Sequence, residues 1–201
     1  QTLAARRRRG FLIMTLRVLP ADWTGFTQVM GEKGGCGGCW CMLWRQSKKE
    51  MDANMGAANR AAMQKRFEDG PPPGLVAWDG ERAVGWIQID RRDAFPRLAT
   101  SRILKPVDDA EVWSIACFLV HKTHRRSGVS AALLEAACGF AEAQGATTVE
   151  GYPIDTKKPK YPAVYAWTGF YGAFRDAGFE EIARRSETRP IMRRSLGAAQ
   201  A

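Results

Sequence analysis

Short apolar runs bounded by turn residues alternate along this chain with segments whose apolar positions recur at helical spacing. Thr15–Leu19 reads as a first strand, and Asp22 caps a short helix over Trp23–Met30. A glycine-rich loop at 31–38 leads to one or two polar helices within 47–69, the second over Ala57–Phe67. Gly70-Pro71-Pro72-Pro73-Gly74 stops that helix. Leu75–Trp78 and Ala83–Asp90 form a hairpin through Asp79-Gly80-Glu81-Arg82. Residues 91–110 make a connection longer than the usual loop, so it is either functional or carries a short element. An apolar strand at 112–120 runs through a basic turn into a helix from Gly128 to Gln144. Val129, Ala132, Leu133, Ala136, Phe140 and Ala143 give that helix its apolar stripe. Thr147–Tyr152 is a further strand, and 153–166 a Pro/Lys loop. Gly169–Ala177 is a short helix with Thr168 as N-cap and Gly178 as its stop, and strands near Glu180–Arg184 and Pro190–Arg194 follow. The order β-α-α-β-β-β-α-β-α-β-β predicts an α+β fold with a mixed sheet and no internal repeat.

At 201 residues the chain is sized for one domain with a proper core. We expect an appendage at 1–13, a single domain at 14–196 and a tail at 197–201. Arg6–Arg9 followed by Phe11–Leu16 imitates a signal peptide. Its apolar run is only about six residues and no small-residue cleavage site follows, so Met14 is a credible start. No run approaches the ~20 apolar residues of a membrane span, which predicts a soluble, cytoplasmic protein with no membrane partner. The formal charge is +9, and without Arg6–Arg9 it is +5. That moderate basicity suits an anionic cofactor as well as nucleic acid, but no nucleic-acid motif is present and no specific nucleic-acid partner is expected.

The five cysteines, at 36, 39, 41, 117 and 138, are an odd number, which argues against a disulfide framework. Cys117 and Cys138 read as small buried hydrophobes. The Cys36-x-x-Cys39-x-Cys41 cluster leaves three readings: a zinc site, a redox pair, or a loop around a partly buried Trp40. The two histidines, His121 and His124, sit beside the basic turn rather than near this loop in sequence, and no metal is expected.

The turn Arg125-Arg126-Ser127-Gly128-Val129-Ser130 lies where a strand ends and a helix begins. Gly128 lets the backbone approach a ligand closely. The N–H groups from Arg126 to Ser130 would converge at the positive end of the helix dipole, and the arginines add charge. This is a recipe for holding a phosphate or pyrophosphate; the bland alternative is an ordinary helix start with surface arginines.

In this context Arg125-x-x-Gly128-x-Ser130, together with Ala173-Phe174-Arg175-Asp176-Ala177-Gly178-Phe179 downstream, resembles the GNAT superfamily of acyl-CoA-dependent N-acetyltransferases. The family pattern ends in Gly or Ala where this chain has Ser130. Gly35-Cys36-Gly37-Gly38-Cys39-Trp40-Cys41, Phe95-Pro96-Arg97-Leu98 and Val149-Glu150-Gly151-Tyr152-Pro153 resemble a bacterial subgroup with no implied substrate. The resemblance implies a mostly antiparallel sheet with helices on both faces and a splayed central strand pair. It implies acetyl-CoA as co-substrate, with the main chain of Phe118, Leu119 and Val120 along its pantetheine arm and a backbone N–H near Val120 at the oxyanion. It implies transfer to a primary amine of a small molecule or peptide. Many relatives are dimers, which leaves a homodimer open.

The acid and base are where the chain departs from the family. The residue eleven before Arg125, often Glu or His in relatives, is Ser114, and the next on that face is Ala116. Glu150 and Glu111 are the nearby candidate bases, each also readable as a structural or solvated carboxylate. The family's usual acid, a Tyr, is replaced by Phe174, expected to flank the cofactor sulfur. Tyr171, a turn earlier, is the candidate acid or else a packing aromatic. Trp40 and Trp44 are candidate walls of the acceptor pocket, with Gln88, Asp90 and Ser114 facing it. Lys157-Lys158-Pro159-Lys160 reads as a solvated loop. The missing base also sustains a second reading: a non-catalytic acyl-CoA-binding or sensor protein on the same fold.

Overall fold

The computed structural model describes residues 16–156, 161–162 and 165–197. The expectations placed on residues 1–13, on Met14 and on the Lys157–Lys160 run lie outside the described residues. The elements are β1 (Leu16–Pro20), α1 (Trp23–Met30), α2 (Lys48–Asn54), α3 (Ala57–Glu68), β2 (Gly74–Asp79), β3 (Arg82–Arg91), α4 (Pro96–Ala99), β4 (Trp113–Val120), α5 (Val129–Ala143), β5 (Thr148–Gly151), α6 (Tyr171–Asp176), β6 (Glu180–Arg184) and β7 (Pro190–Ser195).

The seven strands form one sheet in the order β1-β2-β3-β4-β5-β7-β6. Every pairing is antiparallel except β4 with β5. That parallel pair is joined by α5, as a parallel crossover requires. Helix α5 buries Val129, Leu133, Leu134, Ala137, Cys138 and Ala141 against one sheet face. On the other face α1, the 36–46 loop, α2 and α3 cover an aromatic cluster built on Phe26, Trp40, Trp86, Met51 and Met63. A third cluster, with Phe95, Leu98, Leu104, Ala116 and Tyr152, lies beside it.

Local sequence accounts for most of the boundaries. Asp22 accepts from the Gly25 N–H at 2.6 Å, the cap expected for α1. Ser47 and Glu50 close a capping box at the start of α2. The long connection after β3 does carry short elements, a 3-10 turn at Arg92–Ala94 and then α4. Thr168 is not the cap of α6. Phe170 holds that position without a side-chain bond, and Thr168 is fully buried, accepting from Arg189 Nη1 at 2.9 Å.

In the β3–β4 ladder Gln88 faces Cys117 while Ile89 faces Ile115, so Ala116 is an extra, bulged residue. The bulge reverses the side-chain alternation. Ser114 and Ala116 face the α1 side before it, and Cys117 and Leu119 face that same side after it. The parallel ladder with β5 stops at Ile115 opposite Gly151, just short of the bulge.

Candidate functional site

Beyond Val120 the chain makes a 3-10 turn at Lys122–His124 and then the exposed turn at 125–128. Arg126 (φ 62°) and Gly128 (φ 91°) are both left-handed, two residues apart. Such alternation turns successive N–H groups toward one concavity. Among the described residues, the N–H groups from Arg126 to Ser130 have no backbone acceptor. A Cβ built on Gly128 would meet no atom within 4 Å, so the mouth of the turn is open space. Arg125 is held back, its Nε donating to the Val120 carbonyl at 3.3 Å. His124 Nε2 lies 3.2 Å from Asp79 Oδ2, tying the turn to the β2–β3 hairpin. His121 is held below the ordinary histidine range, first by desolvation and then by Arg82, His124, Lys122 and Arg125, which marks the end of β4 as electropositive. A free row of N–H groups, open space and fixed positive charge fit a pyrophosphate.

Past the bulge, β4 and β5 part. Ile154, just beyond β5, bridges in parallel to Phe170, and its N–H donates to the Gly169 carbonyl at 2.8 Å. On the β4 side the Phe118 N–H donates to the Trp167 carbonyl at 2.6 Å. A segment of the chain's own backbone, 167–170, therefore bridges the gap between the two strands. Phe174 is fully buried beneath it. A Cβ on Gly151 would lie 2.2 Å from its ring and one on Gly169 2.8 Å, so both positions are glycine for lack of room.

On the α1 face a buried polar network closes the sheet at Glu150. This carboxylate is fully buried, paired through Oε1 with Arg92 Nη1 and through Oε2 with Arg193 Nε at 2.8 Å. Tyr152 donates to Glu150 Oε1 at 2.6 Å and shares a hydrogen bond with Ser114 Oγ at 2.8 Å. Burial first, and then the Glu150 charge, pushes the Tyr152 phenol well above its ordinary range. Arg193 continues to Asp108, whose carboxyl is lowered to about 2 mainly by that bond. The sequence singled out Tyr152 only as part of the Val149–Pro153 segment, with no role, and gave none to Arg92 or Arg193. The register Glu150 opposite Arg193 and Ser114 opposite Glu150 brings them together, and register is a tertiary property.

The segment from Cys41 to Gln46 lies across β3. Gln88 Nε2 donates to the Cys41 carbonyl at 3.1 Å, and Asp90 Oδ2 accepts from Arg45 at 2.8 Å and Arg66 at 3.0 Å. Among the described residues, Trp44 Nε1, Gln46 Oε1 and Gln88 Oε1 are buried without a partner. Trp44 is half-buried beside the cluster that holds Ala116 and Tyr152. Trp44, Gln88, Asp90 and Ser114 thus share one face.

The remaining candidates lie elsewhere. Trp40 is not a pocket wall: its left-handed backbone tucks the ring under Gly34, where a Cβ would be 2.2 Å away, and it is 4 % exposed among Trp23 and Phe26. Glu111 is exposed before the start of β4, at the opposite end of that strand from the basic turn. It lines a separate cleft of about 400 Å³ with Arg91, Trp113 and Gly145. The Tyr171 ring has the Arg184 guanidinium of the edge strand β6 5.8 Å from its centre, on the side away from β4.

The architecture agrees with what known proteins show. A family model described as the acetyltransferase (GNAT) family matches residues 40–170, and the chain belongs to that family. No curated protein matches the chain. Among solved structures it is similar to a histone acetyltransferase HPA2 and related acetyltransferase from Corynebacterium glutamicum, at TM-score 0.54 and 19 % identity, covering 92 % of this chain and 99 % of that one. It is similar to the PaiA N-acetyltransferase from Thermoplasma acidophilum in complex with coenzyme A, at TM-score 0.51 and 9 % identity, covering 91 % and 100 %. It is also similar to YncA, a putative acetyltransferase from Salmonella typhimurium with its cofactor acetyl-CoA, at TM-score 0.51 and 14 % identity, covering 92 % and 96 %. At these identities the likeness is one of fold. No helix among the described residues is long and apolar enough to cross a membrane.

Proposed function

We propose that this protein is an acetyl-CoA-dependent N-acetyltransferase that moves an acetyl group directly onto a primary amine of a small-molecule or peptide acceptor. The observation that carries the reading is the open, electropositive turn at 125–130, whose free N–H groups sit at the start of α5 beside the parting of β4 and β5. Acetyl-CoA is the family's co-substrate, and its thioester supplies the activated acyl group. In this reading the N–H groups of Arg126 to Ser130 and the Arg126 side chain hold its pyrophosphate. The main chain of Phe118, Leu119 and Val120 runs along its arm, and Phe118 becomes available when the Trp167 carbonyl withdraws. Trp44, Gln88 and Asp90 surround the amine, and two of the three bring unpaired polar atoms to it.

The amine's proton has a hydrogen-bonded route through Ser114 and Tyr152 to Glu150. Glu150 is engaged by two arginines. The amine attacks only when uncharged, so the rate rises with pH toward the acceptor's own pKa. The same double pairing of Glu150, with Ser114 and Ala116 where relatives carry a base, favours the second reading, a non-catalytic acyl-CoA sensor. We further read residues 14–196 as one cytoplasmic domain of the bacterial subgroup with the Cys-x-x-Cys-Trp-Cys loop.

Release of free thiol from acetyl-CoA over a broad amine panel separates the two readings. An enzyme releases thiol with at least one amine; a sensor binds CoA by calorimetry and releases none. Failure of the unaltered protein to bind CoA, measured beside a Gly128→Glu control, overturns both.

A further inference from the structure

We infer that Cys41 and Cys117 form a reversible disulfide, a redox modification site that oxidising equivalents reach through Cys36 and Cys39. The two sulfurs, 76 positions apart in sequence, lie 2.9 Å from each other. One belongs to the loop after α1, the other to β4 immediately before Phe118.

The contact is built rather than incidental. Trp40 (φ 46°) and Cys41 (φ 55°) are consecutive left-handed residues, neither a glycine. Such conformations persist only where the surroundings hold them, and strain of this kind gathers at functional positions. Here the holding groups are identifiable. Gln88 Nε2 donates to the Cys41 carbonyl at 3.1 Å, and Gln88 is the cross-strand partner of Cys117 at the bulge. Trp40 fills the space left by Gly34. The strained pair of residues and the bulge together turn the two thiols toward one another. The Cys41 thiol has a second sulfur contact, to Met30 Sδ at 3.9 Å.

Cys41 is buried, Cys117 and Cys39 half-buried, and Cys36 exposed. The turn that joins Cys36 to Cys39 is closed by a Cys39 N–H bond to the Cys36 carbonyl at 3.3 Å. Burial first, then the nearby Cys117, pushes the Cys39 thiol up to about 11, and Cys41 is raised by its bond to Cys117 and by burial. Buried thiols of this kind react slowly with an oxidant in solution, so oxidation enters where a sulfur is exposed.

With glutathione disulfide as the oxidant, the Cys36 thiolate attacks one glutathione sulfur and releases one glutathione thiolate. Cys39 then displaces the second glutathione from Cys36. Cys117 attacks the Cys39 sulfur and frees Cys36, and Cys41 attacks the Cys117 sulfur and frees Cys39. In sum, Cys41 and Cys117 each lose a hydrogen, one sulfur–sulfur bond forms in the protein, one breaks in glutathione disulfide, and two glutathione thiols leave. The product anchors the 36–41 loop covalently to the strand beside the gap.

The test uses the full chain in a series of glutathione redox buffers, acid quenching, alkylation of the remaining thiols under denaturing conditions, and peptide mapping without reduction. The expected result is a linked Cys41–Cys117 peptide that grows with the oxidised fraction and vanishes on reduction, with Cys138 alkylated throughout. Cys41→Ser and Cys117→Ser each remove it, and Cys36→Ser slows its appearance roughly tenfold. The mapping of the unaltered chain decides the question even if a variant fails to fold. Full alkylation of Cys41 and Cys117 while Cys36 is linked to Cys39 or to glutathione overturns the site. An unchanged rate in Cys36→Ser overturns the route.

Discussion

Glu150 is fully buried between the guanidinium groups of Arg92 and Arg193, with Tyr152 on the same oxygen as Arg92. Removing one member of a buried ion pair leaves the other charges uncompensated, which costs about 3–5 kcal/mol. Glu150→Gln should therefore lower unfolding stability by about 3 kcal/mol, read from urea denaturation, while CoA affinity by calorimetry stays within twofold. A stability loss near zero would mean that the network relaxes around glutamine. Gly128 makes the opposite case. It is left-handed at φ 91° and faces open space, so Gly128→Ala costs folding only the left-handed penalty, ~1–2 kcal/mol. CoA affinity should fall much further, at least tenfold, because the new methyl stands where backbone and phosphate have to meet. Equal losses in both measurements would remove Gly128 from the cradle. The left-handed Gly128 turn was legible in the sequence because it depends on local conformation. The Glu150 environment was not, since both arginines arrive from distant parts of the chain.

At the level of elements, the segment 167–170 differs from expectation: Thr168 was expected to cap a helix beginning at Gly169, and the helix begins instead at Tyr171. The Pro/Lys composition of 153–166 indicated only a loop. In the folded chain the Trp167 carbonyl occupies the Phe118 N–H on the open edge of β4, and Ile154 and Gly169 complete the bridge. If the cofactor arm runs along Phe118–Val120, it has to replace Trp167 there. Hydrogen exchange on adding CoA should then rise in peptides spanning 165–170 and fall or hold in those spanning 117–121. Increased protection of both would show that the segment stays in place and that the arm takes another course. The bulge at Ala116 is equally tertiary in origin. It permits Cys117 and Leu119 to share a face with Ser114, which strict alternation along the strand would forbid.

Across the whole molecule, Arg193 on β7 links Glu150 on β5 to Asp108 in the connection after α4, so one side chain ties the second half of the sheet to the crossover from the first. The Asp108 carboxyl is lowered to about 2 from its usual 3.8, first by the Arg193 hydrogen bond. A carboxylate depressed on folding contributes stability that is complete above its unfolded value and is lost as pH falls through its folded value. Its share is therefore present above pH 3.8 and disappears toward pH 2. In Asp108→Asn the stability-against-pH curve should be flatter across that window and unchanged in slope above it. A carboxyl titration of Asp108 near 3.8 by NMR would contradict the pairing.

Features set by near neighbours could be read from the chain alone. The strand-to-helix turn with its glycine, the Asp22 cap, the proline stop after α3 and the apolar stripe of α5 all follow from residues within a few positions of one another. With the Gly178-Phe179 landmark they were enough to indicate the family. Packing of the whole sheet set which distant groups meet: the Glu150 and Arg193 side chains, the Cys41 and Cys117 thiols, and the Phe118 N–H with the Trp167 carbonyl. Trp40 shows the limit from the other direction, because two left-handed residues and a glycine six positions away turned an apparent pocket wall into core. Cross-strand register and bulges set such meetings, and they depend on how the whole sheet packs rather than on any local pattern.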